Sequence, residues 1–309
     1  PLPFQLDHIN LWLLRDGDGW TIVDTGFAND DVRNLWRQVI AGLDGPVRRL
    51  IVTHFHPDHL GLASWLMNET GAPLWMTTGE FLTAHAVWNE VGGHGARFMA
   101  AQFRQHGLDP ERAAKFENRG SGYRIVVPGV PDYYHRLKAD DTVAVDGKNW
   151  RILIGHGHSP EHMALYCAEL GVLISGDMLL PKISTNISVF AATPEADSLG
   201  WFLESLAELA REMPAGTLVL PSHGLPFSGV QARVEALRAH HEDRLRALEE
   251  TCEHAPQSAA GLLETHQTMF AMGEAIAHLN HLEQAGRLSR STGTDGVIRY
   301  TRRNLRAVH

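Results

Sequence analysis

Four side chains able to bind a metal fall within six residues of this chain: His54, His56, Asp58 and His59, in the run Thr53-His54-Phe55-His56-Pro57-Asp58-His59. In an extended or turning loop alternate residues share a face, so His54 and His56 point the same way and can hold one ion. Asp58 and His59, just past the Pro57 kink, can hold a second. Three later stations extend the set. They are His162 in Gly155-His156-Gly157-His158-Ser159-Pro160-Glu161-His162, Asp177 in Ile174-Ser175-Gly176-Asp177, and His223 in Leu220-Pro221-Ser222-His223-Gly224. Each is weak alone; as an ordered set behind the first cluster they gain weight. Neutral imidazoles and carboxylates suit zinc and also tolerate iron or manganese. Two divalent ions about 3.5–4 Å apart could share a bridging hydroxide and aim it at an electrophilic carbon or phosphorus. The second ion would stabilise the oxyanion or leaving group, and Asp58 could orient the nucleophile. No serine or cysteine nucleophile is required.

The elements around these residues must deliver them. Ile9–Leu14 and Trp20–Val23 read as strands joined by Asp16-Gly17-Asp18-Gly19, a strong hairpin signal. Helical spacing runs from Asn29 to Leu43, and Arg49–Thr53 reads as a short buried strand whose end delivers His54. Leu60–Thr70 then reads as a helix closed by Gly71 and Pro73. Strands at Thr142–Val145, Trp150–Ile154, Met163–Cys167, Val172–Ser175 and Thr217–Leu220 place the later stations at or just beyond strand ends, with a helix over Ser198–Met213. Loops after strand ends are where layered folds usually put chemistry.

The His-x-His-x-Asp-His, Gly-His-x-x-x-His, Gly-Asp and Ser-His-Gly stations, in this order, resemble the metallo-β-lactamase fold superfamily over about residues 7–228. The resemblance implies an α/β (α+β) chain folded as a four-layer αββα sandwich. It also implies that His54, His56 and His162 bind a first ion and Asp58, His59 and His223 a second, with Asp177 bridging them. By the same likeness Asp24 is a structural acid after the second strand, and His158 orients groups just outside the metals. His156 stands where relatives often carry proline; it reads as a solvent-facing loop residue or as a substrate contact or proton donor. Lys182 and Asn186 could reach an anionic substrate or belong to a plain surface loop. True β-lactamases of this fold lack an aspartate at the bridging position, so Asp177 resembles the thioesterase, lactonase and phosphodiesterase branches. Lactonases of the fold place a tyrosine shortly after it, and Met178-Leu179-Leu180-Pro181-Lys182 has none. The basic glutathione-binding signature of glyoxalase II is not recognisable either.

Bulk properties set outer bounds. The 309 residues, 44% hydrophobic and 20% charged, describe an ordinary globular chain long enough for one large domain or a main domain with an appendage. No apolar run approaches the roughly 18 residues a membrane span needs. Cys167 and Cys252 lie far apart, which excludes a disulfide scaffold and a zinc finger and fits a cytoplasmic location. No basic-then-apolar leader opens the chain, so a signal peptide is absent or already removed. The net charge of −9 argues against a surface that grips nucleic acid as a whole, while 19 histidines direct attention to metal binding.

Two segments fall outside the sandwich pattern. About residues 80–137 form an insertion, with candidate helices near 80–90, 95–106 and 109–118 and aromatics that include Phe81, Phe103, Phe116, Tyr123 and Tyr134. These rings would form a small core of their own, a lid over an apolar pocket, or a homodimer interface. From 229 to 309 the chain reads as long helix (Val230–Glu253), short helix (Ser258–Glu264), helix (Met272–Ala285) and a hairpin around Ser291–Gly296, the outline of a winged-helix-like module. It resembles a domain appended to a subgroup of these hydrolases, some of which cleave single-stranded RNA. Its end carries Arg287, Arg290, Arg299, Arg302, Arg303 and Arg306 against Asp295. Hydrolysis of an ester-type bond in a small molecule with an apolar acyl part, an acyl thioester foremost, is the leading expectation. Ribonuclease or phosphodiesterase activity through the arginines is the rival, and a lactonase or a non-catalytic scaffold comes after it.

Overall fold

The first five strands each bury at least one side chain and join one sheet. It comprises β1 (Trp12–Asp16), β2 (Gly19–Val23), β3 (Val47–Ile51), β4 (Leu74–Thr77) and β5 (His135–Leu137), in the order β1-β2-β3-β4-β5. The expected hairpin pairs β1 with β2 antiparallel, Asp16 opposite Gly19, and the remaining pairs are parallel. The connections carry α1 (Asp30–Gly42), α2 (Pro57–Leu60), α3 (Ala63–Thr70), α4 (Thr78–Asn89), α5 (Ala96–Gln105), α6 (Pro110–Arg119) and α7 (Tyr123–Val126). Asn29 caps α1 by accepting the Val32 N–H at 2.8 Å, and Asp109 caps α6 by accepting from Arg112. This computed structural model describes residues 1–3, 6–120, 122–262 and 268–303.

The second sheet contains β6 (Thr142–Val145), β7 (Lys148–Gly155), β8 (His162–Cys167), β9 (Val172–Gly176), β10 (Leu218–Pro221) and β11 (Phe227–Ser228), ordered β11-β10-β9-β8-β7-β6. Asp146 and Gly147 turn β6 into β7 with φ of 50° and 71°, the paired left-handed geometry of a tight hairpin. Val23, Ile51 and Leu137 of the first sheet pack with Val143, Trp150, Ile152, Met163, Leu165 and Ile174 of the second. Burying each such side chain contributes on the order of 1.5–3 kcal/mol and holds the sheets face to face. Helix α3 packs on β3 and α4 on β4. On the far face, Ser205, Leu209 and Glu212 of α8 (Ser198–Glu212) line a small cavity with Arg151, Leu153 and Gly155 of β7. Helix, sheet, sheet, helix is the sandwich expected from the resemblance.

The chain divides into two compact units: Pro1–Asn89, Gly122–Thr185 and Ser205–Val234 form the first, and Glu90–Ser121, Asn186–Glu204 and Glu235–His309 the second. The segment expected as an insertion is therefore shared. Helices α4 and α7 belong to the first unit, α5 and α6 to the second. Its aromatics divide accordingly. Phe81 stacks on Tyr134 with centroids 4.0 Å apart in the first unit, and Phe103 meets Phe116 at 5.5 Å in the second.

The second unit also holds most of α9 (Val230–His254), a 3₁₀ turn at Ala260–Leu262, α10 (Thr268–Gln284) and the hairpin of β12 (Leu288–Thr292) with β13 (Ile298–Arg302). The order helix, short turn, helix, hairpin follows the sequence reading; residues 263–264 of the expected short helix lie outside the described residues. The arginines of this hairpin face acids of the same unit. Arg287 pairs with Glu242 and Glu249, Arg290 with Glu195, Arg299 with Asp295, and Arg302 with Glu249 and Glu253. Arg306 lies outside the described residues. Among the described residues no helix is long and apolar enough to cross a membrane.

Candidate metal centre

All the converging side chains leave strand ends of the first unit. After β3, the Val52 N–H still donates to the Trp75 carbonyl (3.0 Å), and the Thr53 carbonyl accepts from Met163 (2.9 Å), so His54 starts from a fixed backbone. Pro57 opens the one-turn helix α2, a position where its missing N–H costs nothing. Buried Leu60 anchors that turn, leaving Asp58 and His59 to face the centre. At the end of β9, Gly176 adopts φ 55°. A Cβ there would stand 2.4 Å from Cε1 of His162, so a side chain would displace the ring.

Two donor groups result. Side-chain atoms of His54, His56, His158 and Asp177 gather in one, and those of Asp58, His59 and His223 in the other. Nε2 of His54 lies 2.9 Å from Nδ1 of His56 and 3.1 Å from Nε2 of His158. Asp177 faces both groups: Oδ2 is 3.5 Å from Nε2 of His158, while Oδ1 is 3.5 Å from His59 Nε2 and 3.4 Å from His223 Nε2. His223 Nε2 also lies 3.4 Å from Asp58 Oδ2.

His162 stands differently from the expected role. Its Nε2 accepts the Asp177 backbone N–H at 3.1 Å, its ring centroid is 4.7 Å from that of His54, and it belongs to neither group. His158, expected outside the metals, occupies the first group. His156 is exposed, with Nδ1 2.7 Å from the Pro160 carbonyl. Lys182 is exposed, and Asn186 is half-buried and belongs to the second unit.

The residues present fit bound cations. Three imidazole nitrogens meet around His54 Nε2, where at most one proton can serve each contact. Nε2 of His59, Nδ1 of His162 and Oδ1 of Asp177 are buried without a hydrogen-bond partner. Buried polar atoms are nearly always satisfied, and a bound cation would satisfy the two orphans that belong to the donor groups, His59 Nε2 and Asp177 Oδ1. Outer contacts fix the tautomers. Asp24, with φ 62°, accepts the Thr53 N–H (2.8 Å) and lies 2.8 Å from His59 Nδ1, turning His59 Nε2 inward. His223 Nδ1 lies 2.8 Å from the His8 carbonyl, so its Nε2 likewise faces the carboxylates.

Electrostatics follow this layout. Burial, reinforced by neighbouring imidazoles, pushes His54 and His162 well below the ordinary histidine value, and His56 down to about 3. Burial opposes charge on His59 too, but Asp24, Asp58 and Asp177 outweigh it and hold His59 well above 6.5. The same contest raises His223 through Asp58 and Asp177. Burial works against an ionised Asp177, yet His59, His223 and His158 keep its carboxyl well below the usual range. Neutral His54 and His56 thus stand beside proton-holding His59 and His223.

Sequence reasoning missed Glu80, Tyr123, Thr53, His8 and Asn10. Asn10 donates to the Pro221 and Gly224 carbonyls (3.0 and 2.7 Å) and so shapes the loop carrying His223. Thr53 opens the first metal run, whereas Glu80, Tyr123, His8 and Asn10 sit in no recognisable motif.

Comparison with known proteins agrees with the geometry. The family model of the metallo-β-lactamase superfamily matches residues 5–223, and that of the metallo-β-lactamase-like C-terminal domain matches residues 245–303. Over 302 residues the chain is 25% identical to the probable metallo-hydrolase YqjP of Bacillus subtilis (strain 168), covering 92% of this chain and 90% of that protein. The crystal structure of a β-lactamase domain protein from Burkholderia ambifaria is 48% identical with a TM-score of 0.90, covering 98% of this chain and 90% of that one. A metallo-β-lactamase family protein from Thermus thermophilus is 32% identical with a TM-score of 0.79, covering 98% and 96%.

Proposed function

Because this chain belongs to the metallo-β-lactamase superfamily and is a metallo-hydrolase of that family, we propose that it hydrolyses an ester-type bond, foremost an acyl thioester, at two divalent ions. The observation that carries the reading is Asp177, whose two oxygens face the two donor groups from one buried position. His54, His56, Asp177 and a histidine of the 158–162 loop would hold one ion, and Asp58, His59 and His223, with Asp177, the other. Zinc suits this set, and iron or manganese is compatible with it. Such ions, when bound, lower the pKa of water and polarise the substrate oxygen.

The protein's own residues do the rest. Asp58, whose carboxyl stays ionised beside His59 and His223 even though burial opposes its charge, can accept a hydrogen bond from an attacking water and set its direction. Asp24 and the His8 carbonyl keep His59 and His223 in one tautomer through the cycle. No side chain need form a covalent bond to substrate. A β-lactam is not the main substrate on this reading, since Asp177 resembles the thioesterase and phosphodiesterase branches. The single-strand ribonuclease reading has less support, because Arg287, Arg290, Arg299 and Arg302 are already matched by acids.

A side-by-side assay of metal-replete protein tests this. Acyl thioesters of increasing chain length are offered in one arm and fluorescent single-stranded RNA in the other, with His59→Ala as the blank. Thioester turnover that vanishes in the blank is expected; cleavage of RNA alone would overturn the ester reading.

A further inference from the structure

Glu80 is completely buried at the start of α4, where no donor group includes it. Its carboxylate nonetheless accepts three hydrogen bonds. Oε2 takes the backbone N–H of Phe55 at 3.0 Å, and Oε1 takes the Ser159 hydroxyl at 2.6 Å and the Glu161 N–H at 2.7 Å. Phe55 lies between His54 and His56. Ser159 and Glu161 lie between His158 and His162. One side chain therefore joins the two histidine-bearing loops, which are about a hundred residues apart in sequence. On the other side of Phe55, the buried Tyr123 hydroxyl donates to the Phe55 carbonyl at 2.5 Å. Both peptide planes that separate His54 from His56 are thus tied down.

The rest of the β4–α4 junction reinforces the link. Thr77 Oγ1 donates to the Glu161 carbonyl at 3.0 Å, and the Gly79 N–H donates to Glu161 Oε2 at 2.7 Å. A Cβ on Gly79 would stand 2.8 Å from Glu161 Cδ, so a larger residue there would push the Glu161 carboxylate away from this contact. The Phe55 and Glu161 N–H groups require an acceptor on each of the two oxygens, which a carboxyl provides and an amide does not. Glutamine in its place would aim an NH₂ group at either Phe55 or Ser159 and Glu161, breaking one of the two links.

We propose that Glu80 is a positioning residue that braces the His54–His56 loop against the His158–His162 loop, with Tyr123 fixing the outer side of the same chain segment, so that the imidazoles are set for the ion before it arrives. The proposal rests on the reading of this cluster as a metal centre.

Titration of metal-free protein with Co(II) alone tests it, reading affinity and the visible absorption band, which reports ligand geometry, alongside the thermal unfolding of the metal-free protein. Glu80→Gln is expected to bind Co(II) roughly 10- to 100-fold more weakly than the parent, with a displaced band. Tyr123→Phe, which removes one hydroxyl, should weaken it roughly 3- to 10-fold. Lower thermal stability with unchanged affinity and band in both variants would make the contacts merely structural and overturn the proposal. If Glu80→Gln does not fold, Tyr123→Phe decides by the same readouts. A parent protein that binds no Co(II) would overturn the metal-centre reading, and the brace with it; a parent that binds beside variants that bind equally well would overturn the brace alone.

Discussion

Two regions of this molecule bury histidines together, and they solve the burial differently. In the second unit, His241 Nδ1 lies 3.2 Å from His278 Nε2, His278 Nδ1 is 2.8 Å from the Glu274 carbonyl, and His281 Nδ1 is 3.0 Å from Asp197. Each contact closes a local hydrogen bond. Burial drives His241 to about 3 and His278 to about 4, so both are neutral packing groups. In the first unit the imidazoles converge on shared space, carboxylates stand among them, and His59 Nε2 and Asp177 Oδ1 of the donor groups have no hydrogen-bond partner. Histidine density is therefore a poor sign of chemistry; unsatisfied atoms beside buried acids are a good one.

The strongest attack on this contrast removes Asp177. Asp177→Ala or His59→Ala should cut turnover by about 10³-fold or more and lower the metal content, while circular dichroism stays near that of the parent. Retained metal and turnover in either variant would remove the second donor group from the reaction. The next comparison separates His158 from His162. Alanine at the true ligand should cost about one ion per chain by elemental analysis, and alanine at the other should weaken binding roughly 10- to 100-fold without changing the limiting count.

Acidity sharpens the contrast further. His59 is held above 6.5, so its attraction to Asp24, Asp58 and Asp177 is fully present in the metal-free protein below that pH and is lost as pH rises through the raised value. The stability that His59→Ala removes from the metal-free protein should therefore be larger at about pH 6 than in alkali. Metal affinity should move the opposite way, strengthening as pH rises, because each ion displaces protons from His59 and His223. Calorimetry in buffers of different ionisation enthalpy would count them; no proton release would contradict the raised values.

Smaller effects belong to the second unit. His278→Ala should lower stability by about 1–3 kcal/mol in denaturant unfolding and leave metal content untouched. Arg290→Ala, which releases exposed Glu195, should shift stability by about 0.5 kcal/mol or less. Thioester turnover should be unchanged in both.

Much of this was legible in the residues, for identifiable reasons. The metal stations announce themselves because donor types are few and each sits at or just beyond a strand end. Helices α5 and α6 show their 3.6-residue period and, for α6, an Asp109-Pro110 start. Strands β4, β5 and β11 leave no such mark: at four, three and two residues they are too short to show any period, and neighbours in the sheet define them. The choice between His158 and His162 was similarly out of reach, since three-dimensional packing against Gly176 and Asp177 sets each ring's direction. Glu80 stayed hidden because its partners are mainly backbone groups, which carry no sequence signature.

The distance along the chain between β4 and β5 has a consequence for how the protein comes together. Trp75 pairs with His135, and His223 leans on His8 across 215 positions. Contacts closing such long loops are slow to form and appear only once most of the polypeptide has collapsed. The metal centre, stitched from Asp24, His54–His59, His158–Asp177 and His223, cannot exist in a half-folded chain. Ion capture during refolding should thus trail the gain of helical signal, making the metal a clock for the last step of assembly.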